Sequence, residues 1–365
     1  MSADFDGFLA ASSNDRRDAF VGASQRLGTA AQNIEKDFWV CWTLDALFNH
    51  LPADGPRLLF KGGTSLSKAF GLISRFSEDI DITVFRDDIG EAASVESLEA
   101  LSGKKRQAKL DAIKEACQEY IGGAFMEQLT AHFRDTLERA QIKQLPKVEL
   151  DLDDTSRQSL LLWYPSVLVE TDGYIRPAIK IESGAKSALD PNSAQTISPY
   201  IADDVPALKL AVSNVVTVEA ERTFWDKIVI LHGLRNWFDR RGELRGGGQR
   251  VSRHYYDVYQ LLTSGTGKAA LADPELGRDC VRHARMFFNS PDLSLATASP
   301  GTFALVPAEP MIADLRRDYT AMSGMIFGDV PSFDAVLESI KEFEIRLNDA
   351  RDWPLTYVPR QHQWH

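Results

Sequence analysis

The stretch from Leu58 to Val84 limits the fold more than any other part of the chain. Apolar Leu58–Phe60 predicts a short strand, and it runs straight into Gly62-Gly63, the residues of a tight turn. Thr64 or Ser65 is then expected to cap a helix whose apolar positions Leu66, Ala69, Phe70 and Ile73 fall at helical spacing. Glycines let the backbone approach a ligand closely, and free N–H groups at a helix start attract anionic oxygens. Strand, glycine turn and helix in that order suit a phosphate. Lys68 lies one turn into the same helix and adds a positive charge.

After the helix, Asp79-Ile80-Asp81-Ile82 alternates charged and apolar residues and predicts a strand with both carboxylates on one face and both isoleucines on the other. Taken alone, an Asp-x-Asp is a solvated strand face. Just after a phosphate-binding turn, the same pair puts a triphosphate beside a divalent metal site, which is what phosphoryl or nucleotidyl transfer requires.

Lys61-Gly62-Gly63-Thr64-Ser65-Leu66-Ser67-Lys68 followed by Arg75-Phe76-Ser77-Glu78-Asp79-Ile80-Asp81 resembles the AbiEii/AbiGii-type nucleotidyltransferases. These are toxin components of bacterial toxin–antitoxin and phage-abortive systems, within the DNA-polymerase-beta-like superfamily. The resemblance implies an α/β fold, a nucleotidyltransferase core with a mixed sheet and a helical C-terminal subdomain. It implies Mg2+ or Mn2+ on Asp79 and Asp81, and a nucleoside triphosphate held by Gly62, Gly63, Thr64, Ser65, Lys68, Ser77 and Lys180. In the superfamily a third carboxylate comes from a neighbouring strand. Ile179-Lys180-Ile181-Glu182 fits, with Glu182 as ligand, and Val148-Glu149-Leu150-Asp151-Leu152 fits nearly as well. Glu182 is preferred because the resemblance continues through the Ile-Glu wording there.

Composition sets outer bounds. The chain has 365 residues, 44% hydrophobic and 25% charged, which predicts an ordered globular protein of two subdomains. A formal net charge of −11 argues against wholesale coating of nucleic acid, although a local basic face is compatible with it. Cys41, Cys117 and Cys280 are widely spaced and fit reduced, buried thiols rather than a disulfide framework or a zinc site. With no apolar stretch of membrane-spanning length and no secretion signal at the start, the expected location is the cytoplasm.

Along the chain, residues 5–32 read as weakly patterned helix, and Asn33 to Phe48 as a helix with Glu35, Lys36 and Asp37 on its first turn. That helix is expected beside the core strand in a structural role. Arg86 to Gly103 is polar and irregular. Lys104 to Gln141 is helical, broken at Gly122-Gly123, with a basic opening turn at Lys104, Lys105, Arg106 and Lys109 that could meet RNA, a solvated face being the default reading. Three strands are expected at Lys147–Leu152, at Leu160–Tyr164 continuing toward Val169, and at Tyr174–Glu182, the last two joined by a turn at Asp172-Gly173, all as antiparallel neighbours. Ser187 to Pro206 reads as a loop and a boundary, dividing a 1–206 core from a 207–365 helical subdomain that completes the active site.

Beyond it, Asn214–Val218 reads as a strand and Glu219 to Leu234 as a helix. On residue type alone, Lys227 is one surface lysine among many; the resemblance raises it to the second half of the active site. Residues 235–253 carry six arginines against Asp239 and Glu243. On a glycine-rich loop, Arg240, Arg241, Arg245 and Arg253 could find acceptor phosphates while Trp237 and Phe238 stack on bases, or the whole could be a solvated loop. Family members show Arg-Asp-x-x-Asp where this chain has Arg253-His254-Tyr255-Tyr256-Asp257, which leaves Asp257 as the catalytic candidate. Helices are expected around 274–288, 309–326 and 331–347.

The combined reading is metal-dependent transfer of a nucleoside monophosphate from a triphosphate to an acceptor. By resemblance the acceptor is the 3′ end of tRNA, in a toxin restrained by an antitoxin partner and serving phage defence, with no membrane partner. The alternatives are transfer to a small molecule or a protein hydroxyl, and a catalytically silent binding protein of the same fold.

Overall fold

A computed structural model describes residues 4–168, 176–288 and 290–349. The chain divides into two compact units: 1–71 with 75–218, and 219–365 joined by 72–74. The division falls after Val218, so strands on both sides of Pro206 belong to the first unit.

The first unit is built on a mixed sheet of seven strands among the described residues, in the order β3-β4-β5-β2-β1-β7-β6. The strands are β1 Leu58–Lys61, β2 Ile80–Val84, β3 Lys147–Leu150, β4 Ser159–Trp163, β5 Ala178–Glu182, β6 Asn192–Ile197 and β7 Val212–Val218. β1 lies between β2, antiparallel, and β7, parallel. β3, β4 and β5 pair antiparallel as expected, but β5 joins β2 in parallel, with Ile80 opposite Ile181 and Asp81 opposite Glu182. Alternation sets which face a side chain takes and says nothing about which neighbour it meets. The expected turn at Asp172-Gly173, with Val169 and Tyr174, lies outside the described residues. β6 replaces the expected loop at 187–206: its polar Asn-Ser-Ala-Gln-Thr is an edge strand, paired on one side only, by β7.

Helices cover the sheet. α1 (Phe5–Leu9) and α2 (Ser13–Leu27) lead to α3 (Ala31–Asp45), which packs on β5 and β7 and is buried on every side from Asn33 to Asp45. Phe5, Phe8, Phe20 and Phe38 meet there, the closest rings 4.7 Å apart. α4 (Gly62–Lys68) stops well short of the expected Ile73, and α5 (Val95–Glu99) interrupts a segment expected to be irregular. α6 (Gly103–Tyr120) and α7 (Met126–Arg139) are separated by a π turn in which Gly123 leaves helical geometry, the break expected of paired glycines.

The second unit is helical. α8 (Ala220–Arg241) is longer than expected and carries α9 (Ser252–Thr263), α10 (Gly265–Ala272) and α11 (Pro274–Phe287) against it; α12 (Glu309–Ser323) and α13 (Phe333–Asp349) pack on α9. α13 buries the stripe Phe333, Val336, Ile340, Phe343 and Leu347, as its periodicity predicts. Cys41, Cys117 and Cys280 are buried free thiols. Among the described residues no helix is long and apolar enough to cross a membrane.

Candidate active site

β1 ends at Lys61 and α4 begins at Gly62, so the turn itself is the first turn of the helix. Thr64 and Ser65 therefore do not cap it, contrary to expectation. The Ser65 hydroxyl donates to the Gly62 carbonyl at 2.9 Å. Thr64 Oγ1 lies 2.8 Å from Ser77 Oγ and donates to the Asp79 carbonyl, clasping the turn to the segment that enters β2. Both side chains are buried, so what they offer outward is backbone N–H. Gly62 has φ +82, and a β-carbon there would overlap the Asp81 carboxylate. One at Gly63 would overlap the Arg75 guanidinium and lie 3.5 Å from Ser77 Oγ. The left-handed backbone favours glycine at position 62, and a side chain at either position would have to push the Asp81 carboxylate or the Arg75 guanidinium aside.

The sheet then lines up the polar side chains. Lys61 is opposite Asp81, Asp81 opposite Glu182, and Glu182 opposite Ser159, so one row across four strands shares a face. Asp79 sits one residue before β2 rather than inside it. Lys61 Nζ is 3.8 Å from Asp81 Oδ1, and Lys180 Nζ is 2.9 Å from Glu182 Oε1 and 3.2 Å from Asp151 Oδ2. Burial works against the Lys180 charge, but Glu182 and Asp151 outweigh it and raise its pKa. Glu149, on edge strand β3, instead accepts from Trp163 Nε1 at 2.8 Å and pairs with Lys147. The register therefore favours Glu182 over Glu149 and Asp151 as the carboxylate beside Asp81.

Lys68, expected at the triphosphate, is held by an interior partner. Its ammonium lies 2.7 Å from Asp37 Oδ1, the two side chains 4% and 2% exposed, and 3.7 Å from the centre of the Tyr200 ring. Burial opposes that charge, yet the Asp37 carboxylate more than compensates and raises the Lys68 pKa. Its charge is matched inside the protein.

Within the helical unit, Lys227 on α8 pairs with Asp257 on α9 at 2.8 Å, the side chains 7% and 0% exposed. Lys227 is thus no surface lysine. Trp237, Phe238, Arg240 and Arg241 belong to α8 instead of a glycine-rich loop, and Arg253 belongs to α9. Arg241 and Arg245 approach the Trp237 ring at 5.6 and 5.5 Å, and Arg241 also pairs with Asp292 at 2.5 Å. Arg240 and Arg245 are exposed and Arg253 is half-buried.

The model of a nucleotidyl transferase family, the AbiEii toxins of type IV toxin–antitoxin systems, matches residues 45–339, most of the chain. The chain belongs to this family. It is accordingly a nucleotidyltransferase toxin, and membership implies a cognate antitoxin. No curated protein matches it. Among solved structures it is similar to MenT4, a nucleotidyltransferase toxin from Mycobacterium tuberculosis, at 16% identity over 91% of this chain and 97% of that one, with a TM-score of 0.42.

Two sets of buried contacts beside the glycine turn were not foreseen from the sequence. Arg75 is buried with its guanidinium against Gly63, and only the Gly62-Gly63 pair hinted at a group that needs such room. The Glu35-Lys36-Asp37 triplet lies wholly buried on α3, where three consecutive charges would otherwise be costly. Glu35 accepts from Ser166 Oγ at 2.6 Å and Val167 N at 2.7 Å, and burial raises its pKa. Lys36 pairs with Glu78 at 2.6 Å, and Asp37 accepts from Tyr200 N at 2.6 Å as well as holding Lys68. The triplet thereby pins the residue before Asp79 and the end of α4 to one helix.

Among the described residues no three His, Cys, Asp or Glu side chains are gathered closely enough to hold a metal ion. The chemistry of the donors nevertheless fits one: Asp81 and Glu182 offer only oxygens on a partly exposed face, the set a hard divalent cation takes, and each is at present turned to a lysine.

Proposed function

We propose that this toxin transfers a nucleoside monophosphate from a nucleoside triphosphate to an acceptor, the 3′ end of tRNA, with Mg2+ or Mn2+ held by Asp79, Asp81 and Glu182. The observation that carries the reading is the row Lys61, Asp81 and Glu182 across three adjacent strands, directly beside the glycine turn. A divalent cation bound there would supply positive charge to the reacting phosphate and to the departing pyrophosphate.

The protein's own groups do the rest. Backbone N–H groups of Gly62, Gly63, Thr64 and Ser65, with the Ser77 hydroxyl, bind and orient the triphosphate, and Lys180 neutralises phosphate charge. The acceptor hydroxyl oxygen attacks the α-phosphorus, the bond from that phosphorus to the β-phosphate oxygen breaks, and pyrophosphate leaves. The hydroxyl proton passes to a carboxylate or to solvent. Lys227 and Asp257 enter as catalytic residues on the family resemblance, supported by their burial as an ion pair. Arg240, Arg241, Arg245 and Arg253 are assigned to acceptor phosphates. Blocked tRNA would stop growth, the outcome a defence system against phage uses.

A second reading, with a small-molecule or protein-hydroxyl acceptor, is favoured by the net charge of −11 and by the pairing of Arg241 with Asp292. One experiment separates them: purified protein is incubated with each labelled triphosphate, Mg2+ and total tRNA, and the products are resolved on a gel. Labelled tRNA is expected, lost in Asp79→Ala and in chelator. Label that never enters tRNA, or survives in Asp79→Ala, overturns the proposal.

A further inference from the structure

The strand that carries Glu182 also brings its own cation to that face, two residues earlier. Lys180 Nζ bridges Glu182 Oε1 at 2.9 Å and Asp151 Oδ2 at 3.2 Å. Asp151 is far more buried than Glu182, their side chains 9% and 38% exposed, and its direction is set independently of the lysine. Its main-chain N–H donates to Ser159 O at 2.9 Å, continuing the β3–β4 ladder, and its Oδ1 accepts from Asp153 N at 3.1 Å. Oδ2 is thereby turned to Lys180 as a fixed second partner.

We propose that Lys180 is a displaceable counter-ion of Glu182 and that Asp151 is the positioning residue that receives it when a divalent cation is taken up. The inference rests on the metal reading above. The ammonium bonds Glu182 Oε1 at 2.9 Å, and a divalent cation on the same carboxylate repels it, so uptake of the ion favours departure of the lysine from Glu182. A lysine with nowhere to go would compete for Glu182 at full strength. With Asp151 already bonded to it, the ammonium swings about a contact it keeps, and its charge remains matched while Glu182 is released. Asp151 touches neither the ion nor the substrate in this scheme and acts only through Lys180.

The test measures Mn2+ alone binding to the full-length protein by electron paramagnetic resonance, without nucleotide. Thermal melts verify that each variant is folded. Asp151→Asn should weaken Mn2+ binding by about five- to tenfold, and Lys180→Met, which removes the competitor, should tighten it. In the Lys180→Met background, Asp151→Asn should change nothing, whereas a merely structural aspartate would weaken binding in both backgrounds. Equal Mn2+ affinity in Asp151→Asn and the parent, or weaker binding in Lys180→Met, overturns the inference. The metal reading is judged separately by Asp81→Asn and Glu182→Gln. If both lose the ion, it stands whatever Asp151 does; if the parent binds no Mn2+, or both variants bind it as well as the parent, the metal reading fails and this inference falls with it.

Discussion

Gly62 holds φ +82 with the Asp81 carboxylate where a β-carbon would be. Gly62→Ala should therefore cost about 1 kcal/mol or more in stability through the left-handed backbone alone, and should remove transfer activity by pushing Asp81 out of its row, read as a lowered melting temperature with kcat near zero. Gly63→Val should displace Arg75 and raise the KM for triphosphate with a smaller effect on the melt; unchanged nucleotide affinity would make the turn purely structural. Asp154 predicts a pH effect. Burial works against its charge, but Ser156, Ser159 and the Gln158 N–H hold its pKa down at about 2. A carboxylate depressed in the fold contributes stability that is present above its unfolded pKa and is lost as pH falls through the folded value. Between about pH 4 and 2 the protein should lose on the order of 1–2 kcal/mol, after allowance for solvent screening, and Asp154→Asn should lack that component in acid melts. Residue types alone made the glycines and Asp81 legible, since few other arrangements need them. The buried contacts of Arg75 and the α3 triplet were not legible, because a charged residue carries no local sign of the group it meets elsewhere in the chain.

α3 acts as a post to which separate segments are tied. Its Asp37 and Lys68 form a buried pair, so Lys68→Met alone should cost about 3–5 kcal/mol by stranding a carboxylate, while Asp37→Leu with Lys68→Met should recover most of that loss in a denaturant titration. The recovered double variant should keep the parent KM for triphosphate; a large rise there would restore Lys68 to the nucleotide site. Element by element, legibility followed periodicity. α13 and β1 have strong patterns and form where those patterns predict. β6 has almost none, because an edge strand is held by main-chain bonds to β7 and needs no apolar face. α4 ends at Lys68 despite apolar Phe70 and Ile73 beyond it, where Gly71 turns the chain with φ +61. α8 runs on through Arg240 and Arg241 because the last turn of a helix favours positive charge, and a run of arginines followed by glycine looks the same as a basic loop.

At the scale of the whole molecule, the basic end of α8 stands out on a chain of net charge −11. Because Arg241 is already paired with Asp292, the cleaner test of acceptor binding replaces Arg240 and Arg245, the exposed pair. Their joint change to Ala should weaken tRNA binding and flatten its dependence on log salt by about 1.5–2, while triphosphate binding stays as it was. An unchanged salt slope would remove this face from the acceptor site. The parallel pairing of β2 with β5 has one more consequence. Asp81 and Glu182 lie about a hundred positions apart, yet they are direct neighbours in the sheet. A polypeptide leaving the ribosome can lay β1 beside β2 early, but the other side of β2 has no partner until residue 182 has emerged, so on the proposed site a half-made toxin is unarmed, and translation itself sets the moment at which the cell first needs protection from it.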